Sequence, residues 1–245
     1  MKLNLAAALY IISLLFIQAS SSARVIWSDE KPRPKEVAPS CNSIECPVYE
    51  VIDQGKEYEI RRYNNTVWMS TSPIQNISFV AATRNGFLRL FEYIQGKNEK
   101  HAEIPMTAPV LTDIFPSRGP FCESSFVVSF YVPESFQESP PKAEEGLGLA
   151  ETRWDVRYAA VRRFGGFVTD FNIGEEAAKL QASLLGTPWE KAISKTKQGK
   201  KGKGDEDPSV YSVAQYNAPF EYEGRVNEIW MLFDLHNSSQ TYFPP

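Results

Sequence analysis

Tyr58-Glu59-Ile60-Arg61-Arg62-Tyr63 is echoed further along the chain by Tyr158-Ala159-Ala160-Val161-Arg162-Arg163-Phe164. Around the first copy, Tyr49 to Ile60 and Thr66 to Thr71 are β-branched or aromatic runs. They are broken by the turn signals Asp53-Gln54-Gly55 and Asn64-Asn65, and they read as antiparallel strands. A helical pattern then runs from Ser78 to Gln95: Phe87, Leu90, Phe91 and Ile94 fall at i, i+3, i+4 and i+7, Ser78 can cap the start and Gly96 follows the end. Strands resume at Met106 to Ile114 and Phe126 to Val132. The second copy is followed by a helix from Glu175 to Leu185, ending at Gly186, and then by strands. Thr107-Ala108-Pro109-Val110 is echoed by Asn217-Ala218-Pro219-Phe220, and Phe126-Val127-Val128-Ser129-Phe130 by Glu228-Ile229-Trp230-Met231-Leu232-Phe233. The repetition predicts a duplicated β-α-β-β unit. Each copy has a sheet with one apolar face and one helix to cover it. The copies should therefore pair into an α+β fold, a single mostly antiparallel sheet or distorted barrel with both helices outside.

The 245 residues are 42% hydrophobic and 23% charged, the composition of one ordinary globular domain. With 26 basic against 30 acidic residues, the net charge of −4 offers no positive field for displacing phosphate counterions, so nucleic acid is not an expected partner. Lys195 to Asp207, rich in Gly and Lys, reads as a solvated loop because acids abut its lysines and no aromatics interleave. Two histidines and three cysteines do not supply a zinc site at any usual spacing.

Lys2, the apolar run Leu3 to Ile17 and the small-residue stretch ending Ser21-Ser22-Ala23 read as a secretory signal, residues 1–23, cut after Ala23. The alternative is an uncleaved anchor, for which the run is shorter than the roughly 20 residues of a spanning helix. The mature chain is expected to be secreted or to reside in the endomembrane lumen, extracellular or vacuolar, without stable membrane insertion. Residues 24–43 form a Pro-rich extended leader, 44–236 the folded domain with pseudo-repeats at about 44–133 and 153–236, and 237–245 a tail. In a secretory compartment the sequons at Asn64, Asn76 and Asn237 become candidate glycosylation sites. Cys46 has two possible partners there: Cys41 would close a short loop, and Cys122, the pairing expected here, a long one.

Catalytic patterns are missing from the sequence. It has no Gly-x-Ser-x-Gly elbow, phosphate-cradling loop or His-Glu-x-x-His pair. His101 lies in a polar turn and His236 beside a sequon near the C-terminus, and both read as surface residues. Glu144-Glu145 reads as a loop, and Glu175-Glu176 as a helix first turn, where acids face the helix dipole favourably. No enzymatic activity is expected.

Further motifs carry a family resemblance. Cys46-Pro47-Val48-Tyr49-Glu50, Tyr93-Ile94-Gln95-Gly96-Lys97-Asn98, Pro105-Met106-Thr107-Ala108-Pro109-Val110, Val161-Arg162-Arg163-Phe164-Gly165-Gly166-Phe167 and Arg225-Val226-Asn227-Glu228-Ile229-Trp230 join the opening stretch in resembling the SOUL haem-binding family, in wording closest to its secreted plant branch. The resemblance implies a distorted antiparallel β-barrel with two flanking helices and a pseudo-twofold axis. It also implies noncovalent binding of haem or protoporphyrin, with no axial residue assigned and without enzymatic activity, for carriage, buffering or scavenging. The groove it implies lies between the first helix and the loop before the last strand. Carried over, that groove would draw on Arg84, Phe87, Leu88 and Phe91 of the helix, on Met106, and on Tyr216, Phe220 and Arg225 of the loop. Arg225 would meet a propionate as a fork, or else bond within its own turn. A scaffold that keeps the barrel but has lost the ligand is the alternative reading.

Overall fold

The computed structural model describes residues 38, 40, 41, 43–116, 123–200 and 210–235. The sequons' Asn237, His236, Cys122 and the expected signal segment lie outside them. Two hairpin-rich halves follow one another: β1 (Glu50–Gln54), β2 (Glu59–Thr71), β3 (Ile74–Asn76), α1 (Phe79–Ile94), β4 (Val110–Phe115), β5 (Ser124–Tyr131) and α2 (Glu134–Gln137), then β6 (Leu149–Gly165), α3 (Asn172–Leu184), α4 (Pro188–Lys200), β7 (Tyr211–Gln215) and β8 (Val226–Phe233). Strands pair in the order β2-β6-β8-β7-β4-β5, and β5 pairs back onto β2, closing a six-stranded antiparallel barrel. β1 adds to β2 and β3 to β5. Exchanging β2 with β6, β4 with β7 and β5 with β8 regenerates the same ring, so the duplicated unit is a pseudo-twofold. Closure leaves the six ring strands without an open edge.

The echoes around Tyr58 and Tyr158 mark β2 and β6, which pair with each other (Ile60 opposite Ala160, Arg61 opposite Ala159), and those around Phe126 and Glu228 mark β5 and β8. The echo between Thr107-Ala108-Pro109 and Asn217-Ala218-Pro219 is not structural. The first lies before β4 and the second after β7, so they occupy opposite ends of equivalent strands. β4 starts only at Val110, after Pro109, which has no N–H to donate to the ladder.

Asn64-Asn65 is not a turn. β2 runs through it, with Asn65 in the left-handed region at φ 49°, and the ladder with β6 skips Asn65 and Asp155. Asn tolerates that conformation. Its effect is on phase: Arg61 and Tyr63 lie inside the barrel before it and Trp68 after it, so the strand presents two bulky inward rings on either side of the irregularity.

The barrel interior is filled. Tyr63, Trp68, Leu111, Tyr131, Ala159, Val161, Ala214 and Trp230 come from all six ring strands and pack with Tyr49 and Trp154. Trp68 lies 5.1 Å from Trp154 and Tyr63 stacks on Trp230 at 5.2 Å. One charge pair is buried with them: Arg61 and Glu228 are both 0% exposed. Arg61 donates to both carboxylate oxygens at 2.9 Å and lies over the Tyr49 ring at 4.2 Å. Tyr216 Oη and Trp230 Nε1 each donate to Glu228 Oε2 at 2.8 Å, and Arg163 donates to Oε1 at 3.3 Å.

The helices lie outside, over a second core drawn from the outward faces of the strands. Ser78 caps α1 by accepting from Ala81 N at 3.1 Å, as its position suggests, and Gly96 follows at φ 107°. The buried ridge of α1 is Phe79, Ala82, Gly86, Leu90 and Tyr93-Ile94, rotated from the stripe of large residues toward small ones. Gly86 allows this: a Cβ there would stand 2.4 Å from Val128 Cγ2 on β5. Gly86→Ala, despite its better helix propensity, is therefore expected to lower stability by about 1–3 kcal/mol through overpacking, measured by urea unfolding.

Two further differences concern the helices and the disulfide. Four helices are described rather than two. α4 extends through Lys200, so the first part of the stretch from Lys195 is helix, while residues 201–209 lie outside the described set. Its start was legible in Thr187-Pro188-Trp189-Glu190. Thr187 Oγ1 accepts from Glu190 N, Pro188 is the first helical residue and Glu190 reaches back to Gly186 N at 2.8 Å. Cys46 is bonded to Cys41, not to Cys122. The leader's end is held close to it: Ala38 is buried, Cys41 N donates to Ala38 O, and Glu45 O accepts from Ala108 N.

Candidate functional site

Three residues one helical turn apart, Val80, Arg84 and Leu88, form the outer ridge of α1, opposite the buried one. Facing them is the segment joining β6 to α3. Its shape is set by a reciprocal pair: Thr169 N donates to Asn172 Oδ1 at 2.9 Å, Asn172 N donates to Thr169 Oγ1 at 3.2 Å, and Asn172 Nδ2 donates to Phe167 O at 2.8 Å. The turn turns Phe171 out to 91% exposure and aims Asp170 at the start of α1. There Asp170 accepts from the Ser78 hydroxyl at 2.9 Å and from Val80 N at 3.3 Å, so its charge lies against the positive end of the helix dipole.

Between the ridge and the turn is a cleft of about 680 Å³, lined by Ser78, Val80, Ala81, Arg84, Asn85 and Leu88 on one side and Thr169, Asp170 and Phe171 on the other. Its volume falls in the range of roughly 300–1,000 Å³ usual for small-molecule sites. Its walls are mainly carbon, Leu88 is half exposed, and Arg84 is the one cation among the lining residues. Asp170 being already engaged by the helix start, Arg84 is the group left to meet an anionic substituent. The cleft can therefore take a flat apolar molecule edge-on, with a carboxylate directed toward Arg84. No lining residue is His, Cys, Met or Tyr.

The cleft contains two of the residues anticipated from sequence, Arg84 and Leu88. Phe87 lies partly buried, edge-on to Phe130 at 5.3 Å and stacked on Phe91 at 5.8 Å, with Phe91 at 41% exposure on the flank of α1. Met106 packs half buried against the outer core and is not part of the lining. Tyr216 points its hydroxyl into the barrel, to Glu228, and is not a groove residue. Burial pushes its hydroxyl pKa well above the ordinary value, and the Glu228 charge adds to that. Phe220 is 75% exposed on the loop before β8. Arg225 staples that loop, donating to Ala218 O at 2.8 Å and Glu221 O at 2.7 Å, with its guanidinium 4.5 Å over the Phe167 ring. Arg225 is only 7% exposed and is occupied by its own turn. The loop therefore backs the cleft wall indirectly: Tyr222 and Arg225 pack on Phe167, which begins the turn that carries Asp170 and Phe171. Val80 was detectable as the residue one turn before Arg84. The 169–171 wall was not, because its approach to α1 joins the two halves of the chain.

The remaining chemistry-bearing residues stand apart. His101 is exposed, 3.9 Å from Glu144. Glu176 is held by Arg162 and Lys179. Among the described residues no group of His, Cys, Asp and Glu is placed to hold a metal ion, and no helix is long and apolar enough to cross a membrane. Asn64 lies in the β2 ladder opposite Val156, and Asn76 at the end of β3.

Comparison with known proteins gives a match of residues 44–232 to the family described as SOUL heme-binding protein. Heme-binding protein 2 of Homo sapiens is 37% identical over 179 residues, 73% of this chain and 79% of the relative. Heme-binding protein 1 of Xenopus laevis is 29% identical, over 73% of this chain and 84% of the relative. Among solved structures, the EcmrR C-terminal domain overlays with a TM-score of 0.44 at 8% identity, covering 73% of this chain and 98% of that one.

Proposed function

Because the chain belongs to the SOUL heme-binding protein family, we propose that it binds haem or a related tetrapyrrole noncovalently and without catalysing a reaction. The observation that carries this reading is the open, carbon-walled cleft on the outer ridge of α1, with Arg84 as its one cation among the lining residues. Val80, Leu88 and Phe171 would cover the ring faces and edge, and Arg84 would take a propionate. Burying on the order of 400 Å² of ring at roughly 25 cal/mol per Å² yields about 10 kcal/mol, from which the cost of association is subtracted. Micromolar affinity requires about 8 kcal/mol. Since the lining offers no ordinary iron ligand, attraction comes from the ring, and iron-free protoporphyrin is expected to compete with hemin on similar terms.

The apolar run before Ala23, the sequons and the Cys41–Cys46 bond together support a secreted member acting in the endomembrane lumen or outside the cell. Carriage, buffering or scavenging of a tetrapyrrole fits such a compartment. Titration with hemin, read as a Soret shift, and with protoporphyrin, read as quenching of Trp fluorescence, is expected to saturate below about 100 μM, equivalent to roughly 5.5 kcal/mol. Failure of both to saturate removes the reading.

A further inference from the structure

We propose that Asn76 carries an N-linked oligosaccharide that stands on the rim of the α1 cleft and slows entry of its ligand. This rests on the secretory and tetrapyrrole readings above. Asn76-Ile77-Ser78 is a sequon at the end of β3, a three-residue strand paired only to β5. The Asn76 carbonyl Oδ1 accepts from Ser78 N at 2.9 Å, closing a local turn over the sequon. The Asn76 amide nitrogen, the atom that would bear the sugar, makes no hydrogen bond within the described residues. Ile77 beside it is 73% exposed, an apolar surface for the first sugar to cover.

Position gives the modification a consequence. Ser78 and Val80, two and four residues on, line the cleft, and Ser78 is tied across it to Asp170. A bulky, hydrated chain on Asn76 is therefore anchored beside the opening. Asn64, by contrast, sits on β2 against β6 and takes no part in the cleft, so sugar there should not matter to it.

The test uses the full chain secreted from a eukaryotic host. Glycopeptide mass spectrometry reads occupancy at each sequon. Stopped-flow protoporphyrin quenching reads entry in the native protein, after enzymatic deglycosylation, and in Asn76→Gln and Asn64→Gln. A second readout is independent of the ligand: the rate at which a bulky maleimide labels Leu88→Cys in a Cys122→Ser background. The expectation is an occupied Asn76, with both rates rising about threefold or more on its removal and unchanged in Asn64→Gln. Sugar at another sequon but none at Asn76, or an occupied Asn76 whose removal leaves labelling unchanged, overturns the proposal. A secreted chain with no sugar at any sequon likewise overturns the proposal, whereas a chain that its own leader fails to export overturns the secretory reading together with it. Absence of protoporphyrin binding in every form removes the ligand reading and refutes slowed entry, and the labelling rate then shows whether the rim is shielded at all.

Discussion

Glu228→Gln is expected to cost the fold about 3 kcal/mol, because it leaves the buried Arg61 guanidinium only the partly exposed Glu59 carboxylate, 2.8 Å away, as counter-charge. The carboxylate is fully buried and takes donors from Arg61, Arg163, Tyr216 and Trp230. A Gln at the same place keeps one acceptor oxygen and replaces the other by an NH2 that faces other donors. Urea unfolding monitored by Trp fluorescence checks the loss, and the double variant Arg61→Met with Glu228→Leu should unfold closer to wild type than either single change. A loss below about 1 kcal/mol in Glu228→Gln would contradict the network described.

The same network sets the acid limit. Burial alone would raise the Glu228 carboxyl pKa, but Arg61, with Trp230 and Tyr216, more than offsets it, and the group lies below its ordinary value of 4.5. A folded-state pKa below the unfolded one means that the ionised group contributes stability above the unfolded value. That contribution is lost as pH falls through the folded value. Glu176, pushed up by burial but held lower by Lys179 and Arg162, adds in the same direction. Stability should therefore decline from about pH 4.5 downward, and the decline should be shallower in the Arg61→Met, Glu228→Leu variant.

Leu88→Glu is expected to weaken protoporphyrin binding at least about tenfold, some 1.4 kcal/mol, by setting a carboxylate against the ring face. Leu88 is 50% exposed, so its replacement should leave the unfolding midpoint nearly unchanged. Phe220→Glu, on the loop outside the cleft lining, should change affinity less than about twofold. Should Phe220→Glu be the damaging change and Leu88→Glu the silent one, the ligand sits against the loop before β8 instead of the ridge of α1. Met106→Glu does not separate these cases, since Met106 packs on the outer core and a charge there disturbs folding as well.

The Arg225-Val226-Asn227-Glu228-Ile229-Trp230 stretch shows why a distinctive motif need not be a binding motif. Arg225 fastens its loop, Asn227 Nδ2 donates to Gly166 O at 2.8 Å, Glu228 neutralises Arg61 and Trp230 fills the barrel. Each role is architectural. The ridge that makes the cleft, Val80, Arg84 and Leu88, belongs to no conspicuous motif.

Sequence alone determined the duplicated unit, the helix from its Ser78 cap to Gly96 and the mostly antiparallel pairing of the two copies into one sheet or barrel. These depend on local periodicity, capping and repetition, which are written in neighbouring residues. Tertiary structure alone decided the phase change at Asn65, the close seating of α1 through Gly86, the pairing of Cys46 with Cys41 and the cleft wall at Thr169 to Phe171. Each of these depends on which surfaces meet after the barrel closes. Spacing along the chain carries no record of that meeting when small residues, a short bridge or a polar turn bring it about.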